Sequence, residues 1–191
     1  MIKKFLLLLL IFNLTPQTSS AAAPQELNLS RLNTSQLEDI YEYYDYKGVR
    51  GYLMLPGYHY PPIYLSSFPT DFDAVADEQK RIALFIKILA PLALRFNQQT
   101  LEQRQVIEQI KQNFDKNHEL SAEESRIIEK NAAEYDVFTR LKGYQRHKFL
   151  LTELLNRVDA IPPSFLIAAA AMETNWGTSR IVKEGNSLYK Q

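Results

Sequence analysis

The sequence contains no cysteine, so no disulfide can hold the fold together and its stability must come from packing. It also lacks an excess of either charge. Its 22 lysines and arginines balance 22 aspartates and glutamates, which excludes the broad basic face that nucleic acid or acidic lipid would need. Glycine is scarce, six in 191 residues, and none of it forms a phosphate-cradling loop, a nucleophile elbow or a dinucleotide fingerprint. His59, His118 and His147 are widely spaced and have no cysteine partners, so neither a metal site nor a cofactor is expected. Tryptophan occurs once, at Trp176.

Long apolar runs are missing as well, apart from one at the N-terminus. Lys3 and Lys4 precede an unbroken apolar stretch from Phe5 to Phe12, followed by the small residues Ser19, Ser20 and Ala21. A transmembrane helix needs roughly 18 apolar residues, and Asn13, Pro16 and Gln17 end this run too soon. The pattern predicts a secretory signal peptide over 1–21, cut near Ala21, and no integral membrane anchor. The mature chain is then expected in the periplasm or outside the cell.

What is present is 46% hydrophobic and 23% charged, the balance of an ordinary globular protein. Residues 22–70 read as an N-terminal arm rich in tyrosine, proline and glycine. Eight of the eleven tyrosines fall between 41 and 70, an extended, turn-rich segment with room for a short hairpin. These rings either stack on sugars or pack the arm onto the body, and tyrosine suits both. From Asp71 onward the periodicity is helical. Ile82, Phe85, Ile86, Leu89, Leu92, Ala93 and Phe96 share one face. Pro91 is expected to kink or split that helix. Capping-box pairs at Ser35–Glu38, Thr100–Gln103 and Ser121–Glu124 mark three helix starts. A further helix spans 145–158, and Pro162–Pro163 opens another. A short helix from Thr178 to Glu184 is closed by Gly185.

The last long helix carries the chemistry. Phe165 to Met172 is apolar nearly all round, which predicts burial, and Glu173 then sits at its C-terminal end, followed by Trp176 and Gly177. The negative end of the helix dipole, burial and a neighbouring indole all disfavour a charged carboxylate, so Glu173 is expected to hold its proton near neutral pH. That is what a general acid for glycoside cleavage requires. The alternative is a structural glutamate bonded to the next turn.

"AMETNWGTS" followed by "EGNSLYKQ" resembles the glucosaminidase family of peptidoglycan hydrolases, and within it the bacterial Bax-type proteins. The likeness covers roughly residues 71 to 191 and leaves the tyrosine-rich arm outside. It implies an all-α, lysozyme-like domain with the acid at a helix end facing a sugar groove, and an endo-β-N-acetylglucosaminidase acting on the glycan strands of peptidoglycan. The motif places the general acid on Glu173 and substrate contacts on Trp176, Asn186 and Tyr189. Ser187, Tyr189 and Lys190 depart from the family's usual asparagine, phenylalanine and glycine. In that family the domain continues beyond this turn, so the reading expects an incomplete C-terminal part, little activity at this length, and no assigned second carboxylate. A lytic transglycosylase is the nearest rival. A non-catalytic envelope protein that binds glycan or only packs is the rival from another class.

Overall fold

The structure, a computed structural model, describes residues 26–46 and 60–185. The expected signal segment, His59, Asn186 and Tyr189 therefore lie outside the described residues. Of those described, 67% are helical and 4% are in strands, an all-α chain of six helices. Among them no helix is long and apolar enough to cross a membrane.

The chain opens with a short strand β1 (Leu27–Leu29) and helix α1 (Thr34–Tyr43). Asn33 caps α1, with Gln36 closing the capping box, two residues upstream of the expected Ser35–Glu38 pair. The Asp71 carboxylate locks the same end by accepting from the Thr34 N–H and hydroxyl, each at 2.7 Å, and the hydroxyl bond holds its pKa below the usual range. Strand β2 (Ile63–Leu65) pairs with β1 in parallel, Leu27 opposite Ile63 and Asn28 opposite Tyr64; residues 47–59, the middle of the stretch given room for a hairpin, lie outside the described residues. A 3-10 turn at Phe72–Ala74 leads into α2 (Glu78–Asn117). Then come α3 (Ala122–Glu134), α4 (Gly143–Arg157), α5 (Pro163–Thr174) and α6 (Arg180–Gly185). Ser121 and Glu124 form the expected capping box of α3, and Pro163 takes the first helical position of α5.

Helix α2 overturns one sequence expectation and narrows another. It runs unbroken for 40 residues, about 60 Å. Thr100 starts no new helix, because its hydroxyl donates to the Phe96 carbonyl one turn back. Pro91 does not split the helix either. Proline leaves the carbonyl four residues earlier without its N–H donor. That carbonyl belongs to Lys87, and it accepts from the Tyr46 hydroxyl at 3.1 Å. Tyr46 is buried, and the Lys87 ammonium lies 5.5 Å from its ring centre. One tyrosine of the N-terminal arm thus repairs the helix backbone.

Two apolar cores lie along α2. The first joins its N-terminal half to α1, both strands and α5 through Leu37, Tyr41, Phe85, Ile88, Ala170 and others. The second joins its C-terminal half to α3 and α4 through Ile107, Phe114, Ile128, Leu150 and Leu154. Polar clamps fix the connector between α4 and α5. Arg104 donates to the Leu155 and Val158 carbonyls at 2.7 and 2.8 Å, and Asn97 makes a paired bond with the Ile161 backbone. These clamps set where α5 begins.

Two buried tyrosines should respond oppositely to loss of their hydroxyls. Tyr46→Phe leaves the Lys87 carbonyl without its donor and is expected to cost about 1–2 kcal/mol. In a Pro91→Ala background the new N–H serves that carbonyl, so the cost should fall, a coupling that a double-mutant cycle by urea denaturation would reveal. The Tyr41 hydroxyl is buried without a hydrogen-bond partner among the described residues, and burial pushes its pKa far above the ordinary value. The phenol ionises in the unfolded chain near pH 10 but not in the fold, so stability falls as pH rises above that point. Burial lowers the Lys87 pKa and so acts in the opposite sense, less strongly. Tyr41→Phe should be neutral or stabilising at pH 7 and should flatten the alkaline loss of stability.

Candidate active site

Helix α5 lies on α2 through one face. Ile167, Ala170, Ala171 and Thr174, at helical spacing, are buried, and the two alanines let the helices approach closely. The opposite face is open. Phe165 is 66% exposed and Met172 86%, and Glu173 is exposed beside it. The expectation that apolar character all round means burial is therefore corrected. The helix has a single neighbour-facing stripe, and its outward apolar residues meet solvent. Burial of Glu173 does not supply the drying that the sequence argument assigned to it.

Its position at the helix end is as expected and is rigidly built. Thr174 is fully buried, donates its hydroxyl to the Ala170 carbonyl at 2.6 Å and accepts the Gly177 N–H at 3.0 Å. Asn175, Trp176 and Gly177 follow with φ of 48°, 55° and 81°, three successive left-handed residues. Asparagine tolerates this at a helix end and glycine adopts it freely, whereas tryptophan is strained there. Packing compensates. The Trp176 ring meets Phe85 edge-on at 5.6 Å, so the indole anchors the turn to the first core. Gly177 sits beneath the rings of Phe68, Phe72 and Phe85.

A cleft of about 430 Å³ opens beside this turn. Gly177, Val182 and Lys183 form one wall, Ser67, Thr70 and Asp73 the other, and Glu173 is not part of the lining. Lys183 bonds Asp73 at 2.5 Å, which ties α6 to the 3-10 turn and lowers the Asp73 pKa. Neither residue stood out in the sequence, because they are 110 positions apart.

Elsewhere, His118 takes the left-handed cap of α2, and His147 packs edge-on against Phe114 in the second core. Among the described residues, no three His, Asp or Glu side chains converge as metal ligands. The tyrosines divide by role: Tyr41 and Tyr46 are buried in packing, Tyr43 and Tyr44 are exposed, and Tyr64 lies half-buried on the outer sheet face. Compared with family models, curated proteins and solved structures, the chain matches none.

Proposed function

We propose that this is an exported, lysozyme-like hydrolase of peptidoglycan that cuts the glycan strand at N-acetylglucosamine, with Glu173 as the general acid. The observation that carries the reading is the placement of Glu173. The carboxyl stands in the last turn of α5, on a turn pinned by Thr174 and Trp176. It opens onto a face that already presents Phe165 and Met172. A sugar laid over that apolar face displaces water from the surroundings of the carboxyl. The protonated acid then delivers its proton to the glycosidic oxygen as the bond breaks, and the sugar passes through an oxocarbenium-like state captured by water. The likeness of "AMETNWGTS" to the glucosaminidase motif supports the same assignment.

The test is product analysis. Purified peptidoglycan is incubated with the protein and the fragments are weighed by mass spectrometry. New reducing N-acetylglucosamine ends support the proposal, whereas anhydro ends point to a lytic transglycosylase. The exposure of Glu173 favours one other reading, a non-catalytic protein that binds glycan or only packs. Sedimentation with the cell wall without new ends would establish it.

Export is part of the proposal. N-terminal sequencing of the mature protein should begin at Ala22 or Ala23. An intact Met1 in a stable membrane fraction would overturn it.

A further inference from the structure

A second cleft, of about 550 Å³, lies between the outer face of the β1–β2 ribbon and α2. This is within the size range of small-ligand sites. No residue of α5 or of the turn after it lines this cleft. The strand side belongs to the arm, outside the stretch that resembles the glucosaminidases.

The composition of the cleft follows from the register. Asn28 stands opposite Tyr64 in the parallel pair, so both side chains share one face of the ribbon, while their neighbours Leu27, Leu29, Ile63 and Leu65 pack into or against the first core. Across from them, Leu92, Arg95 and Gln99 lie at steps of three and four along α2, on one stripe of the helix. The Arg95 guanidinium lies 4.5 Å from the Tyr64 ring centre and is held by the Glu26 carboxylate at 3.1 Å. That pairing offsets part of its charge and uses one guanidinium nitrogen, leaving further N–H donors. The Asn28 and Gln99 amides have no side-chain hydrogen bond within the described residues. Each offers donors and an acceptor.

We infer that this cleft is a binding subsite for N-acetylated hexosamine units of a glycan strand, held apart from the residue that breaks the bond. The inference rests on the glycan reading above. Sugar hydroxyls donate and accept at once, so they are matched by free amides rather than by charge alone. The remaining guanidinium N–H groups serve as donors for the acetamido carbonyl. Leu92 supplies apolar ground for its methyl group. A subsite of this kind would hold a long strand while Glu173 acts on another part of it.

The test is isothermal titration of the protein with chitotetraose, an N-acetylglucosamine tetramer, and with cellotetraose, which has the same linkage without acetamido groups. Asn28→Ala with Gln99→Ala should weaken chitotetraose binding about tenfold, the loss of roughly one hydrogen bond to the ligand. Neither change removes an internal side-chain bond, so the helical spectrum and the melting temperature should not move. Arg95→Lys, which keeps the charge beside Glu26 but loses the guanidinium, should also weaken binding several-fold. Cellotetraose should bind at least several-fold more weakly than chitotetraose. The inference is overturned if chitotetraose does not bind, if its affinity is the same in the double variant, or if cellotetraose binds as tightly. Release of new reducing ends, and its dependence on Glu173, is read separately. A failed acid assignment and a failed subsite therefore give different patterns.

Discussion

Glu173→Gln should lower the release of reducing ends from peptidoglycan by at least about a hundredfold, the low end for loss of a general acid. The amide keeps the shape of the side chain but has no proton to deliver to the leaving oxygen. The fold should stay intact, because the position is exposed, the amide is isosteric, and the turn beside it is held by Thr174 and Trp176. Melting temperature and glycan binding are therefore the controls that should stay level while cleavage falls. A glutamine variant that cleaves at the parent rate would remove Glu173 from the mechanism.

Gly177→Ala should destabilise the protein by about 3 kcal/mol. Two costs add. At φ +81° an alanine pays about 1–2 kcal/mol that glycine does not. Its methyl carbon would also stand 2.9 Å from Phe72, 3.0 Å from Phe68 and 3.1 Å from Phe85, and overpacking of that kind costs about 1–3 kcal/mol. Those rings have little room to retreat. Phe68 packs on Phe72 and stacks on Phe85, and Phe85 is fully buried against Trp176. For a chain of this size the melting temperature should drop by roughly 6–12 °C. Gly143→Ala is the control, since Gly143 also has positive φ, 54°, but open space where a methyl would go. It should lose only the backbone part. Equal melting shifts for the two variants would show that the rings yield, and that the turn bearing Glu173 is softer than its packing implies.

The helices were legible where their signals were local. Ser121 and Glu124 lie three residues apart and cap α3 as a sequence reader expects, and Pro163 opens α5 for the same kind of reason. Reading failed where the deciding partner was distant. Nothing near Pro91 reveals that Tyr46, some forty positions earlier, supplies the donor the proline lacks. Thr100 and Gln103 have the right types for a cap, but the helix was already running and the threonine bonds backward instead. The two strands are three residues each, too short for alternation to register, and they pair across a long stretch of chain. At the candidate site, the helix end and the turn were visible in "METNWG", while the exposure of Glu173 was not. An apolar outer face and an apolar inner face look alike in a sequence, and only the docking of α5 on α2 distinguishes them. Asn28, Tyr64, Arg95 and Gln99 were invisible as a group because two strands and a helix bring them together.

The two cores differ in when they can close. The second is assembled from Ile107 through Val158, a continuous run of chain. The first needs Leu37 and Phe85 from early in the sequence and Ala170 and Ala171 from late in it. A chain synthesised or translocated from its N-terminus can therefore complete the later-numbered core first, since nearby segments meet at less entropic cost. Until α5 emerges, Phe85, Ile88 and Leu89 wait on the front half of α2 without their final cover. That interval is when a nascent molecule offers an apolar surface to its neighbours, and its length depends on how readily Ala170 and Ala171 slide into place. Enlarging either alanine would thus act on the yield of folded protein as much as on its final stability.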